Sequence, residues 1–282
     1  MPAFRPIALA LLLLGGAGLV WAQGGATPPE KPDRVVSLNL CADQLLLPLA
    51  DRDQIAGLTR NADDPQMSAE ARAARGLPIL TTSAEEIVAT RPDLVVGMPA
   101  SGSPALTALP GQRYTALDLN AANTFAEIEQ SIRETATAVG HPERGEALIA
   151  GMKRELAQVP RVGEGRTAAY YQRRGYLTGS GTLIDEIMTR VGLVNLATRI
   201  GKPALSQVSL EEMVAARPDF LIVEQATARV ADQGTEMLHH PALSGIPRVS
   251  IPQAWTVCGG RAYVLAARAI ARQVGKADVS HR

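Results

Sequence analysis

Residues 85 to 96 read EEIVATRPDLVV, and residues 211 to 222 read EEMVAARPDFLI, so one motif occurs twice in the chain. In each copy a short helical pattern ends at an arginine-proline pair, because proline cannot continue a helix. An aspartate then leads into an apolar run rich in β-branched residues, which is typical of a buried strand. The copies start 126 residues apart, a spacing that suits two similar domains better than a solenoid of short repeats.

Each copy of the motif also carries a helix-start signal. Glu86 follows Ser83 by three residues, and Glu212 follows Ser209 by three residues. This is the spacing of a capping box, in which the serine and the glutamate each bond the backbone N–H of the other. We therefore predict a capping box at the start of both helices.

Outward from the repeat, predicted strands and helices alternate along the chain. The predicted strands cover residues 34–38, 54–58, 94–96, 113–119, 167–172, 220–223 and 248–251, and the main predicted helices cover residues 42–50, 183–191 and 261–274. Between them a long helical stretch covers residues 124 to 159, with a dent at Gly140-His141-Pro142. This alternation predicts an α/β fold, with two Rossmann-like lobes of parallel sheet joined by a single long helix.

The fold prediction divides the chain into five parts. They are a signal peptide (1–22), a flexible leader rich in Gly and Pro (23–32), an N-terminal lobe (33–123), a linking helical segment (124–160) and a C-terminal lobe (161–282). The signal is indicated by Arg5, by the apolar residues 7 to 20 and by a small residue, Ala22, after which we expect cleavage. No cysteine stands directly after the apolar stretch, which is short for a membrane span, so a periplasmic protein without a lipid anchor is predicted.

Composition excludes some classes of function and bears on the two cysteines. The formal net charge is +0 and there is no polybasic arm, which excludes nucleic acid as a partner. In an oxidising compartment the pair Cys41 and Cys258 most simply forms a disulfide, which would tie the first part of the fold to the last. Thiolate ligation of a soft metal or a haem, and two independent buried thiols, remain as alternatives.

Ligands of open parallel sheets bind beyond the carboxyl ends of the strands, so the loops at those ends hold the candidate site. Arginines there can hold carboxylate or catecholate oxygens, tyrosines can stack or ligate iron, and tryptophan offers a broad apolar face. Solvated turns, Asx turns and core packing are the structural alternatives for these residues. The candidate ligand-binding residues are Asn39, Cys41, Arg60, Asn61, Met98, Tyr171, Arg173, Tyr176 and Trp255.

The sequence gives little support for an enzyme. The segment TGSGT at residues 178 to 182 is a glycine-rich turn and lacks the Gly-x-Ser-x-Gly pattern of a hydrolase elbow. The four histidines form no metal constellation, and none follows a strand as a general base would. We therefore expect a binding protein with no cofactor or catalytic metal of its own, and keep a periplasmic hydrolase as the alternative.

Several of these features together resemble the periplasmic binding proteins of iron–siderophore and cobalamin ABC importers. They are RVVSL at residues 34 to 38, the repeated motif, the long middle helical stretch and the Trp255 loop before the last helix. The resemblance covers nearly all of the predicted mature chain. It implies a ligand held between two lobes that move little, with an aromatic side chain of the Trp255 loop against it.

The resemblance also implies partners and a ligand class. Glu85 and Glu211 match the glutamates, one on each lobe, that dock on arginines of the permease, although both could serve only to stabilise helix starts.

The ligand would be a metal chelate (an iron–siderophore, haem or a cobalamin-like molecule) and would bring its own iron or cobalt. Where cobalamin binders carry extra aromatics, this chain has Met98-Pro-Ala and residues 203 to 205, so its aromatic belt is thin. The expected partners are the permease and ATPase subunits at the inner membrane, served by a monomer. A sensor subunit on the same scaffold is a further alternative.

Overall fold

The structure is a computed structural model that describes residues 31–81, 83–103, 106 and 114–280. The predicted signal peptide, and all but the last two residues of the predicted leader, lie outside these residues. Those two are packed on the fold: Lys31 pairs with Asp51, and the backbone oxygen of Pro32 accepts a hydrogen bond from Gln54 at 2.6 Å. Within the described ranges, no helix combines the length and the apolar character needed to cross a membrane.

The first lobe is built on a parallel five-stranded sheet, as the alternating pattern predicts. Its strands lie in the order β3-β2-β1-β4-β5, with β1 at the centre. The elements are β1 (Val35–Ser37), α1 (Leu40–Leu49), β2 (Ile55–Thr59), α2 (Ala71–Ala74), β3 (Ile79–Leu80), α3 (Ala84–Ala89), β4 (Leu94–Gly97) and β5 (Thr115–Asp118).

The linking segment is a pair of helices, so the predicted helical stretch is not one continuous helix. α4 (Phe125–Ala138) and α5 (Pro142–Ala157) are separated by Gly140, whose φ of 80° is left-handed, and Pro142 begins the second helix. Arg133 of α4 pairs with Glu146 of α5 at 2.6 Å, as expected when the two helices fold back on each other. The dent visible in the sequence is thus a turn.

Helix α5 runs from one lobe to the other. At its start Arg144 donates to the backbone oxygen of Leu49, at the end of α1, at 2.9 Å. At its end Glu155 pairs at 2.8 Å with Arg268, which belongs to the last helix of the chain. The predicted link between lobes is therefore made by one helix of 16 residues, about half of the predicted stretch.

The second lobe repeats the parallel design on a smaller sheet. Its four parallel strands lie in the order β11-β10-β6-β8, and β7 and β9 form a separate antiparallel pair. The elements are β6 (Thr167–Tyr170), β7 (Tyr176–Thr178), α6 (Leu183–Arg190), β8 (Val194–Asn195), α7 (Leu196–Arg199), β9 (Leu205–Gln207), α8 (Leu210–Ala216), β10 (Phe220–Glu224), α9 (Gln233–Glu236), β11 (Arg248–Ile251) and α10 (Ala262–Ser280).

The repeated motif builds the same local structure in both lobes. Its arginine follows the helix in the left-handed region, with φ of 47° at Arg91 and at Arg217. Its aspartate then fastens the start of the neighbouring strand. Asp93 accepts from the backbone N–H of Arg34 at 3.0 Å, and Asp219 accepts from that of Thr167 at 2.7 Å. The motif is thus a structural unit that leads into one parallel strand of each lobe and fixes the start of the neighbouring strand, β1 in the first lobe and β6 in the second.

The two predicted capping boxes have different outcomes. Ser209 and Glu212 form the complete reciprocal box at α8. At α3, Ser83 accepts from the backbone N–H of Glu86, but the Glu86 carboxylate accepts instead from the N–H and the hydroxyl of Thr81, both at 2.6 Å. The prediction of a full box at α3 is wrong because a residue outside the motif offers this carboxylate two donors.

Candidate functional site

Three adjoining cavities lie at the carboxyl ends of the parallel strands, where the topology predicts a ligand. We name them the disulfide cavity (about 70 Å³), the carboxylate cavity (about 270 Å³) and the glutamine cavity (about 240 Å³). The first two share Asn123, Leu183 and Val257, and the last two share Gln253. Together they reach the size of pockets that hold small molecules.

The disulfide cavity has walls from both lobes. Met98, Asn120 and Asn123 line it from the first lobe and its edge, and Leu183 and Val257 from the second. Its floor includes the Cys41–Cys258 disulfide, with an S–S distance of 2.07 Å and a Cα–Cα distance of 5.2 Å. The disulfide prediction is confirmed, and the alternatives of free thiols or thiolate ligands are not what the structure shows. The bond ties the start of α1 to the loop before α10.

The carboxylate cavity is organised around Glu224, the last residue of β10, which is 6% exposed. The Tyr170 hydroxyl donates to Glu224 Oε1 at 3.0 Å, and Gln172 Nε2 donates to the same oxygen at 3.2 Å. Thr256 Oγ1 lies 3.0 Å from the tyrosine oxygen, and Thr178 donates to Gln172 Oε1 at 3.0 Å. Burial, and next the nearby Glu224 charge, raise the pKa of Tyr170, so its hydroxyl keeps its proton and acts as a donor.

The glutamine cavity bridges the lobes on the other side of Gln253. Pro65 and Gln66 line it from the loop after β2, and Gln225, Pro252 and Gln253 from the loops after β10 and β11. Side-chain amides can donate and accept at once, so this wall can match a polar ligand edge of either kind.

The structure brings some of the predicted ligand residues to the cavities. Cys41 and Met98 line the disulfide cavity. Asn39 is used as the cap of α1, where its Oδ1 accepts from the backbone N–H groups of Cys41 at 3.1 Å and Ala42 at 3.0 Å. Arg60 and Asn61 follow β2 but line none of the three cavities.

Tyr171 does not reach the cavities, contrary to its prediction as a ligand-binding residue. Its side chain is fully buried in the core of the second lobe. Its hydroxyl donates to the backbone oxygen of Val208 at 3.1 Å and contacts Met237 Sδ at 2.8 Å. Successive side chains of an extended chain point to opposite faces, and here Tyr170 is the residue that reaches the cavity.

The other aromatic and basic predictions lie away from the cavities. Arg173 pairs with Asp232 in an exposed turn, which agrees with the alternative of a solvated basic turn. Tyr176 is on β7, and Trp255 is partly buried against the main core; neither lines any of the three cavities. A ligand contact by Trp255 therefore stays a prediction.

The residues that sequence reasoning missed are Tyr170, Glu224 and Gln253. Strand alternation is the signal that could have separated Tyr170 from its neighbour. A glutamate that closes the apolar run FLIVE at the carboxyl end of a strand is a second usable signal. Among the described residues, no three histidine, cysteine or carboxylate side chains come together as a metal site requires.

The predicted docking glutamates occupy equivalent places in the two lobes. Glu85 and Glu211 are both exposed and stand at the second position of α3 and α8. Hydrogen bonds from its own backbone N–H and from Ser209 lower the pKa of Glu211. Each helix leads into a parallel strand, so its first turn lies toward the carboxyl edge of the sheet, the edge that carries the cavities.

These features define a two-lobed α/β binding protein with a cleft at the strand ends. The sequence matches the family of the periplasmic binding proteins over residues 35–250, and the chain belongs to this family. Among its relatives is the "Cobalamin-binding protein" of Halobacterium salinarum, 25% identical over 210 residues that span 72% of this chain and 57% of that protein. The chain thus matches little more than half the length of that relative. The "Vitamin B12-binding protein" of Pectobacterium carotovorum is 24% identical over 252 residues, 86% of this chain and 88% of that protein.

Solved structures share the fold over most of the chain. The "Periplasmic heme-binding protein RhuT" from Roseiflexus sp. RS-1 superposes with a TM-score of 0.68 at 23% identity, covering 87% of this chain and 98% of that one. The "periplasmic Vitamin B12 binding protein BtuF" of Vibrio cholerae gives a TM-score of 0.66 at 17% identity, covering 88% of this chain and 98% of that one. At these identities the likeness shows the fold.

Proposed function

We propose that this protein is the periplasmic solute-binding component of an ABC importer, and that it holds a metal chelate between its lobes. The observation that carries the proposal is the run of adjoining cavities at the strand ends, with walls from both lobes, in a chain of the periplasmic binding protein family. Relatives named for cobalamin and structures named for haem point to a chelate that brings its own cobalt or iron. No cofactor of the protein itself is part of this proposal.

Binding without catalysis fits the lining of the cavities. No histidine is among the described residues that line them, and the buried carboxylate of Glu224 accepts hydrogen bonds from Tyr170 and Gln172. A hydrolase would need a nucleophile beside a general base. The work of a transport protein is different: the ligand and the permease each bind one state of the protein more tightly than another.

The remaining steps concern export and delivery. The chain would be exported by residues 1 to 22, lose them after Ala22, and work in the periplasm as a monomer. It would then dock on the permease of a complex powered by ATPase subunits. Glu85 and Glu211, exposed at matching helix starts of the two lobes, would meet cations of the permease there.

The double charge reversal Glu85→Arg with Glu211→Arg tests the delivery step. Uptake of a radiolabelled ligand by cells should fall by at least about tenfold, because like charges would then face each other at the docking surface. Ligand affinity, measured by quenching of Trp255 fluorescence on the purified protein, should stay the same within about twofold, since both glutamates are outside the cavities.

A matched control reverses two other exposed glutamates, Glu143→Arg in α5 and Glu236→Arg in the second lobe. This variant should transport like the unmodified protein. Full uptake by the Glu85 and Glu211 double variant would contradict docking through these residues.

A further inference from the structure

Glu224 is a buried carboxylate whose full bonding capacity is not used within the chain. Both hydrogen bonds that it accepts from side chains, from Tyr170 and from Gln172, go to Oε1. The residue lines the carboxylate cavity, so Oε2 is left to meet whatever fills it. A carboxylate oxygen only accepts hydrogen bonds, so the group that meets it must donate one.

The described residues in the rest of the cleft offer no positive charge to offset this carboxylate. Within the part of the chain that the structure describes, no lysine and no arginine lines the three cavities. The polar side chains in the walls, apart from Glu224, are neutral. They are the amides of Gln66, Asn120, Asn123, Gln172, Gln225 and Gln253 and the hydroxyls of Ser131, Tyr170, Thr178, Thr182 and Thr256. The arginine predicted to bind anionic oxygens, Arg173, pairs with Asp232 outside these cavities.

The charge at the rim of a chelate therefore decides how well this cleft can bind it. A ligand with carboxylates or catecholate oxygens at its rim would place negative charge beside the Glu224 carboxylate, and like charges at close range repel each other. A ligand with amide or ammonium groups at its rim could donate to Glu224 and pair with the amides of the walls.

We infer that Glu224 selects a chelate whose rim carries amide or ammonium hydrogen-bond donors and discriminates against one whose rim is anionic. This assignment rests on the proposed function. It limits the possible metal chelates to one chemical class. The apolar part of the same ligand would lie on Met98, Leu183 and Val257 of the disulfide cavity.

The test compares four probes on the purified protein by quenching of tryptophan fluorescence. Cyanocobalamin has an amide rim and ferrioxamine B has an ammonium group, whereas haemin has two carboxylates and ferric enterobactin is an anionic catecholate. At least one donor-bearing probe should bind about tenfold or more tighter than either anionic probe. In Glu224→Gln, which keeps the shape of the side chain, that probe should lose about tenfold in affinity and haemin should gain.

Two further variants make the result specific. Glu186→Gln is the matched control, because Glu186 also accepts from a tyrosine hydroxyl, that of Tyr263 at 3.3 Å, but lines none of the cavities. It should leave all affinities unchanged. Gln253→Arg adds a cation to the cleft without touching Glu224, and should raise the affinity for haemin even if Glu224→Gln folds poorly.

The measured affinities either support or overturn the assignment of Glu224. If haemin or ferric enterobactin binds the unmodified protein most tightly, or if Glu224→Gln leaves affinities the same, the assignment is overturned while the proposed function stands. If none of the four probes binds, the assignment and the proposed metal-chelate function are both overturned.

Discussion

Tyr170 and Tyr171 are adjacent in sequence, and their side chains lie on opposite sides of the strand. Tyr170 donates to Glu224 at the cavity, whereas Tyr171 donates to the Val208 backbone in the core. The sequence analysis chose Tyr171 as a candidate ligand residue, whereas its neighbour Tyr170 is the one that lines the cavity. The strand register needed to decide between them depends on the pairing of β6 with β10, which spacing along the chain does not reveal.

Removing each hydroxyl in turn should separate stability from binding. Tyr171→Phe should lower the free energy of unfolding by about 1 kcal/mol, because the buried carbonyl of Val208 loses a donor, and leave ligand affinity unchanged. Tyr170→Phe should instead weaken binding of the preferred probe, since Glu224 and its neighbours lose their positioning group. Urea unfolding and fluorescence titration of both variants measure this. Equal effects of the two variants on binding would contradict the assignment of faces.

Glu224, Gln172 and Thr256 show which part of the site the sequence could not predict. They come from three separate segments and meet because β6, β10 and β11 are neighbours in the sheet. The general rule for parallel sheets predicted the right edge of the fold and the loops after these strands. Which side chains face inward depends on register and on hydrogen bonds within the loops.

Among the elements, the helices of the linking segment depart most from prediction. Helical periodicity runs from residue 124 to residue 159, so a single helix is the simplest expectation. Gly140 and Pro142 were visible as a dent, but either can be tolerated within a longer helix at a cost. The chain turns there because the two helices can then pack on each other and on α1 and α10, contacts that local sequence does not encode.

The turn between α4 and α5 is held to the first lobe by an ionic cluster around Asp51. His141 Nε2 lies 3.0 Å from this carboxylate, Arg144 donates to it at 2.8 Å, and Lys31 pairs with it as well. Hydrogen bonds from Lys31, and next from Arg144, hold the pKa of Asp51 far below its usual range.

A group whose pKa is lowered on folding stabilises the protein above its unfolded pKa and loses that effect as the pH falls. Asp51→Asn should therefore lower the melting temperature at pH 7, and the difference from the unmodified protein should shrink as the pH falls below about 4. Thermal unfolding followed by circular dichroism from pH 7 to pH 3 measures it. Asp53→Asn, an exposed neighbour, should show no such change, and a difference independent of pH for Asp51→Asn would contradict this role.

At the scale of the whole molecule, the two lobes are joined by more than one connection. Helix α5 runs between them, the disulfide joins α1 to the loop before α10, and one apolar core includes residues of both sheets, such as Val96 and Ile222. These ties restrict hinge motion, so we expect only small movement of the lobes on binding. The repeated motif predicted two lobes and the cysteine pair predicted their bridge, while the order of strands within each sheet had to come from the structure.

The most direct test of the central claim is native mass spectrometry of the protein isolated from the periplasm of cells that express it from its own gene. We expect a processed chain with one non-covalently bound small molecule that contains iron or cobalt and is released on denaturation. Isolation of the processed chain with a metal-free ligand, or with a covalently attached reaction intermediate, would contradict the account of a metal-chelate binding protein.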